Sequence, residues 1–145
     1  MEPYTFMESS NGCTDTPGFK AAGVHCDVRG KKDGRLDLAL VVSDVPCTVA
    51  GVFTMNRMAA APVRLGREQL GVGGLFRGFI TNSGNANACT GPEGMGDALV
   101  MRKIAADGAG LAAEELFVCS TGRIGKRLPM DVLATGIDEA AGILS

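Results

Sequence analysis

The chain has 145 residues, of which 46% are hydrophobic and 21% charged, and 14 Lys and Arg against 16 Asp and Glu leave a net charge of −2. This length and composition predict one folded domain, or part of one, and exclude an intrinsically disordered chain. The near-neutral balance argues against nucleic acid as a partner, and the longest apolar run, residues 38–42, is too short to span a bilayer.

The N-terminal residues and the cysteines indicate the compartment. Residues 1–8 carry acid before any basic residue and have no continuous apolar core, unlike a secretory signal or a transit peptide. A cytoplasmic protein is therefore expected, with residues 1–16 as a flexible N-terminal segment. Five cysteines without a C-x-x-C pair, beside a single histidine, His25, favour free thiols over a zinc site or a disulfide framework. Neither a metal nor a cofactor is expected.

The hydrophobic pattern predicts short strands joined by tight, glycine-containing turns. Residues 36–43 alternate and then become continuously apolar, and Asp44-Val45-Pro46 is expected to end this strand. Residues 49–54 follow closely enough to form an antiparallel hairpin with it. Residues 79–82 and 116–119 predict two further strands, and each is followed by a polar loop that contains glycine.

Two helices are predicted, one between these last two strands and one after them. The first covers about residues 94–106, with Gly108 and Gly110 ending it. The second begins near residues 129–131. Its apolar stripe comprises Leu133, Ile137, Ala140 and Leu144. Because the stripe runs to the end of the sequence without a glycine cap, the helix is expected to be interrupted and the chain incomplete.

Common catalytic motifs give no assignment. The single histidine excludes H-E-x-x-H, and the sequence holds no P-loop, dinucleotide-binding or G-x-S-x-G string. A nucleophile pair of His25 and Cys26 is disfavoured, because adjacent residues of an extended segment point to opposite faces.

Two polar segments remain as candidate sites. Residues 81–91, the asparagine-rich segment, are either a tightly ordered connector or a ligand contact. Residues 119–125 follow an apolar strand and contain Ser120, Thr121 and Gly122. A hydroxyl beside an unshielded backbone N–H supplies the two donors of an oxyanion hole, although Ser-Thr-Gly is also a common loop tripeptide.

Several stretches, taken in order, carry a family resemblance. They are PGFKAAG at 17–23, SDVP at 43–46, AGVFTMNR at 50–57, AAPV at 60–63, NSGNANACTG at 82–91, STGRIG at 120–125 and LPM at 128–130. In order and spacing, from Pro17 onward, they resemble the ornithine acetyltransferase family of arginine biosynthesis, also called glutamate N-acetyltransferases.

The resemblance implies a precursor that cleaves itself into α and β chains and exposes a threonine nucleophile at the β N-terminus, with its own amine as base. Members of the family move the acetyl group of N-acetylornithine onto this threonine and then to glutamate, and some also accept acetyl-CoA. The implied fold is a layered α/β fold of helices on central sheets, and the implied assembly is a heterotetramer of two α and two β chains. Residues 1–145 correspond to the N-terminal, α-chain portion of a single domain, which lacks the nucleophile and is expected to be inactive alone.

Two site residues are carried over from the family. Thr121 and Gly122 match its oxyanion-hole pair, Thr121 through its hydroxyl and Gly122 through its backbone N–H. Arg123 departs from the small aliphatic residue usual at its position, and is either a solvated loop charge or a cation that favours a substrate carboxylate. Lys126 and Arg127 add charge nearby.

Two alternatives stay open. A related self-processing aminopeptidase would hydrolyse the acyl-enzyme instead of transferring the acyl group. An inactive N-terminal remnant, or a binding module, would expose the apolar stripe of the last helix and aggregate. The asparagine-rich segment and residues 120–125 favour the transferase.

Overall fold

One mixed sheet with helices on one of its faces forms the fold of residues 12–145, the part of the chain that the computed structural model describes. The strands are β1 (Phe19–Val24), β2 (Leu38–Cys47), β3 (Phe76–Asn85) and β4 (Leu116–Arg123), and the helices are α1 (Ala61–Val72), α2 (Gly91–Ala109) and α3 (Met130–Gly142). Of the segment predicted to be flexible, residues 1–11 lie outside the described residues, and Gly12–Asp15 form a 3-10 turn.

The strand order β1-β2-β3-β4 places two candidate segments next to each other. All neighbouring strands are antiparallel except β3 and β4, which run parallel, with α2 in the connection between them. The parallel register pairs Ser83 with Thr121 and Gly84 with Gly122. The C-terminal ends of β3 and β4 therefore lie side by side at one end of the sheet.

The core lies between the helices and the face of the sheet that they cover. One row of side chains crosses all four strands on this face: Ala22, Leu40, Ile80 and Val118. The helices add fully buried side chains, Met101 from α2 with Leu133 and Ile137 from α3. Burial of large aliphatic side chains of this kind is the main stabilising contribution to such a domain.

The strands predicted at 36–43, 79–82 and 116–119 are confirmed, but all three are longer than expected. β2 continues past Val42 to Cys47, so Pro46 does not end it; the register shifts between these two residues, and a proline is tolerated where the ladder is interrupted. β3 and β4 continue to Asn85 and Arg123. The segments predicted as loops therefore begin as paired strand.

The predicted hairpin between residues 36–43 and 49–54 is wrong. β2 pairs with β3 and with β1, which the sequence analysis did not identify, whereas residues 51–56 have no regular structure. Phe53 packs instead on α1, where a Cβ at Gly66 would lie 3.2 Å from its ring, and the Arg67 guanidinium lies 5.9 Å from the ring centroid. Contact with a helix that was not predicted accounts for the partial burial of Phe53, whereas Val52 in the same segment is fully exposed.

Both predicted helices exist with shifted ends. α2 begins at Gly91, with Pro92 in its first turn, and Gly110 caps it in the left-handed conformation, so Gly108 lies inside the helix. α3 ends at Gly142, and Leu133, Ile137 and Ala140 of its stripe are fully buried in this chain.

The apolar stripe therefore extends beyond the helix, which ends before Leu144. Because Leu133, Ile137 and Ala140 are buried within this chain, they do not form the exposed apolar surface expected of a remnant. Within residues 12–145, no helix combines the length and apolar character needed to cross a membrane.

Candidate active site

A pair of glycines brings the ends of β3 and β4 unusually close together. Gly84 has φ 124° and Gly122 has φ 129°, in the region that favours glycine. A Cβ on Gly122 would lie 2.3 Å from the carbonyl carbon and oxygen of Gly84. A glycine is therefore required at position 122 for this packing, and Thr121 is held beside Ser83.

Thr121 lies at the wall of a groove of about 230 Å³ on the face of the sheet opposite the core row. Thr81, Ser83 and Leu36 also line this groove. The Thr121 side chain is exposed, and no group within residues 12–145 hydrogen-bonds its hydroxyl. The hydroxyl can therefore donate to a molecule bound in the groove.

The backbone N–H of Gly122 is directed away from β3. Arg123 O accepts a hydrogen bond from Ala86 N at 2.9 Å, so Arg123 faces β3. In a parallel ladder each residue directs its N–H and C=O to one side, and the next residue directs them to the other. Leu116 O follows this alternation, because it accepts from Gln69 Nε2 of α1 at the outer edge of β4. The Gly122 N–H therefore points to the same outer edge and, with the Thr121 hydroxyl, forms what we call the donor pair.

The Asn85 side chain links β3 to the residues that follow the donor pair. Its side chain is fully buried. Oδ1 accepts from Arg123 Nε at 2.9 Å, and Nδ2 donates to Arg127 O at 2.9 Å. Asn82 Nδ2 in turn donates to Asn85 O at 3.0 Å. Asn85 thus holds both ends of the turn 123–127.

Asn87 has a separate role at the start of α2. Its side chain is fully buried, Nδ2 donates to Gly94 O at 2.7 Å, and Oδ1 accepts from the Thr90 hydroxyl at 2.7 Å. The amide nitrogens of Asn82, Asn85 and Asn87 therefore all donate to the protein itself, whereas Asn82 Oδ1 is buried without a partner among the described residues.

Arg123 is engaged with the protein rather than with solvent alone. Besides its bond to Asn85, its Nη2 lies 3.5 Å from Val28 O and 3.4 Å from Arg29 O. These carbonyls belong to the loop between β1 and β2. The guanidinium therefore bridges that loop to β3, which neither of the two roles considered from the sequence describes.

Arg127 forms a two-point ion pair with α2. Its Nε and Nη2 lie 3.0 and 2.6 Å from the two carboxylate oxygens of Asp97, whose side chain is only 6% exposed. The hydrogen bond and the charge of Asp97 raise the pKa of Arg127 above its ordinary value. This pair holds the far end of the turn 123–127 against the helix.

His25 and Cys26 do not form a nucleophile pair, which the sequence analysis also disfavoured. His25 Nδ1 lies 2.6 Å from Arg35 O. The Cys26 side chain packs against α3, where a Cβ on Gly136 would lie 2.6 Å from its Cβ. Burial raises the pKa of the Cys26 thiol to about 12, and the charge of Asp37 adds to this shift. The thiol is therefore protonated at neutral pH, unlike a catalytic cysteine.

Cys26 is expected to react much more slowly with iodoacetamide at pH 8 in the folded chain than the exposed Cys89, because the thiolate is the reacting species. Unfolding in urea should remove the difference in labelling rate. Peptide mass mapping measures both rates, and equal labelling of Cys26 and Cys89 in the folded chain would contradict this prediction.

The raised pKa also means that the folded Cys26 thiol keeps its proton at pH values where the unfolded thiol has lost it. The free energy of unfolding should therefore fall as pH rises from about 9 to about 12, and less so in Cys26→Ala. An equal fall in Cys26→Ala would contradict the assignment of this pH dependence to Cys26.

All five cysteines are free. Within the described part of the chain, no three His, Cys, Asp or Glu side chains are grouped so as to hold a metal ion.

The sequence analysis found Thr121 and Gly122 but missed the residues that support them. Gly84 and Asn85 were placed in a loop of their own, separate from residues 119–125. The order of strand, helix and strand could have joined the two segments, since this order typically produces parallel neighbouring strands whose C-terminal ends meet.

Comparison with known proteins gives a consistent set of relatives. Residues 20–145 match the model of the ArgJ family. The chain is 48% identical over 136 residues to the arginine biosynthesis bifunctional protein ArgJ of Symbiobacterium thermophilum, covering 94% of this chain and 34% of that protein. It is 50% identical over 133 residues to the protein of the same name in Streptomyces coelicolor, covering 91% of this chain and 34% of that one. The chain thus spans about a third of the length of these curated relatives.

Two solved structures share the fold. The arginine biosynthesis bifunctional protein from Bacillus halodurans superposes with a TM-score of 0.80 at 41% identity, over 88% of this chain and 66% of that one. Ornithine acetyltransferase from Mycobacterium tuberculosis, solved with ornithine, gives 0.82 at 43% identity, over 89% of this chain and 68% of that one. The layered α/β fold expected from the sequence is confirmed.

Proposed function

The chain belongs to the ArgJ family, and we propose that it is the α-chain portion of an acetyltransferase that moves an acetyl group from N-acetylornithine to glutamate in arginine biosynthesis. The observation that carries the proposal is the donor pair: the Thr121 hydroxyl at the groove, which has no partner within residues 12–145, and the N–H of the adjacent Gly122, directed away from β3. Two neutral donors on adjacent residues suit an oxygen that becomes negative during acyl transfer.

The proposed role of the donor pair follows from the chemistry of acyl transfer. A threonine hydroxyl on the β chain attacks the acetyl carbonyl carbon, its proton passes to the β-chain amine, and the carbonyl oxygen becomes an oxyanion. Thr121 and Gly122 donate hydrogen bonds to this oxyanion. The carbon–nitrogen bond then breaks, and ornithine leaves with the proton. Glutamate attacks the acetyl ester through its amine, and the same two donors hold the second oxyanion. The carbon–oxygen bond to the threonine then breaks, a proton from the glutamate amine passes through the β-chain amine to the threonine oxygen, and N-acetylglutamate leaves.

The partners are part of the proposal. The nucleophile is assigned to a β chain outside these 145 residues, in a heterotetramer of two α and two β chains, and acetyl-CoA is a possible second donor in members of the family. The cytoplasmic location expected from the sequence stays a prediction.

A chimera tests the proposed function with the whole chain present. The segment of the Symbiobacterium thermophilum protein that aligns with this chain is replaced by residues 1–145, since the two are 48% identical there. The purified chimera should transfer acetyl from N-acetylornithine to glutamate, as followed by the appearance of N-acetylglutamate. The unmodified Symbiobacterium protein is the positive control.

Other results would count against the transferase. Hydrolysis of peptides without transfer to glutamate would favour the aminopeptidase. A folded chimera with neither activity, beside an active parent protein, would favour the inactive remnant.

A further inference from the structure

The donor pair lies in backbone that cannot fix its own conformation. Gly84 and Gly122 are register partners, and both have left-handed φ values. Glycine has the widest choice of backbone conformations and loses the most freedom on folding. The position of the Gly122 N–H must therefore be imposed by other groups.

Asn85 is the buried side chain that bonds the turn after Gly122, beside the main-chain bonds from Ala86 N to Arg123 O and from Gly125 N to Ala88 O. It follows Gly84 directly, and its amide bonds the residue immediately after Gly122 and the far end of the same turn, Arg123 and Arg127. Its carbonyl oxygen is itself held by Asn82 Nδ2. With no exposed surface, Asn85 has no water to replace these partners.

The Arg123 guanidinium extends this arrangement to the loop between β1 and β2. Its bonds to the carbonyls of Val28 and Arg29 join residues 95 and 94 positions apart in the chain. The Val28 and Arg29 side chains also cover Gly84, where a Cβ would lie 3.0 Å from Val28 Cγ1 and 3.1 Å from Arg29 Cγ. The turn after the donor pair is thus held from two sides.

We propose that Asn85 is a positioning residue for acyl transfer, which sets the donor pair in place through Arg123 and the turn 123–127. This inference rests on the proposed function. Asn85 touches no reacting atom. Its contribution is to kcat, because a displacement of the donors by about 1 Å from their correct position around the developing oxyanion lowers the rate on the order of a hundredfold.

The test uses the chimera with Asn85→Asp, which keeps an oxygen for Arg123 Nε and replaces the Nδ2 donor by an oxygen that repels Arg127 O. We expect kcat to fall by about 10- to 100-fold, with KM changed by less than about twofold. Asn87→Asp is the matched control, because it also removes an Nδ2 donor from a fully buried asparagine. Its kcat should stay within about twofold at equal folded fraction.

A double-mutant cycle separates positioning from general destabilisation. If Asn85 acts through the donor pair, Asn85→Asp should cost much less in a Thr121→Ala background than in the unaltered chimera. Independent, additive losses would overturn the proposal, and so would an unchanged kcat in Asn85→Asp. An inactive unaltered chimera would instead overturn the proposed function.

Arg123→Met provides a second variant in case Asn85→Asp does not fold. The Arg123 side chain lies at the surface, so its shortening opens no cavity in the apolar core, and it removes the donor to Asn85 Oδ1. A fall in kcat of about five- to tenfold, with KM unchanged, is expected. An unchanged kcat in this variant would also overturn the proposal.

Discussion

Thr121→Ala in the chimera is expected to lower kcat for acetyl transfer by about 10²- to 10³-fold, which corresponds to about 3 kcal/mol of lost transition-state stabilisation. The hydroxyl has no partner within the described residues, so its removal leaves no buried group unsatisfied. The folded state should therefore be little affected, and KM for N-acetylornithine should change far less than kcat. Steady-state kinetics of the chimera with and without Thr121→Ala measures the effect.

Thr121→Ser is the control for this prediction. It keeps the hydroxyl and removes only a methyl group at the wall of the groove, so most of kcat should remain. If Thr121→Ala keeps the full kcat, the assignment of Thr121 to the oxyanion hole is wrong. If Thr121→Ser loses as much as Thr121→Ala, the methyl group rather than the hydroxyl is the important part.

The elements that the sequence predicted best are those with a strong apolar pattern. β3, β4, α2 and α3 lie where the apolar pattern predicts them, and their fully or almost fully buried side chains include Ile80, Val118, Met101 and Leu133. β1 escaped prediction since FKAAGV has small side chains and a glycine, and Ala22 and Val24 become buried only when the strand pairs with β2 and packs into the core beneath α3. The strand predicted at residues 49–54 was wrong because Phe53 packs on α1 rather than in the sheet.

The site was predictable only in part for a related reason. The local sequence identified a hydroxyl beside a glycine N–H at Thr121 and Gly122, and the family resemblance gave that pair a role. Their support comes from partners far away in the chain: the carbonyls that hold Arg123 lie 94 and 95 residues earlier. Contacts of this kind depend on the complete fold, so Arg123 was assigned from its charge alone and its bridging role was missed.

Gly122→Ala is expected to destabilise the chain by about 3–5 kcal/mol, because it combines a left-handed conformation with a clash. The new Cβ would lie 2.3 Å from the carbonyl group of Gly84 and 2.8 Å from Asn85 N, all of them backbone atoms that cannot rotate away. The strands must therefore separate at this end, which displaces the Gly122 N–H as well. Urea unfolding of the chain measures the stability, and the chimera should lose its transfer activity.

Gly125→Ala separates strain from clash in this prediction. Gly125 also has a positive φ, 74°, but a Cβ there would meet no atom within 4 Å. It should cost only the conformational strain, about 1–2 kcal/mol. A loss in Gly122→Ala no greater than in Gly125→Ala would mean that β3 and β4 can separate at little cost. The close approach of the two glycines would then not be what holds the donor pair, and Asn85 with the turn 123–127 would have to account for its position alone.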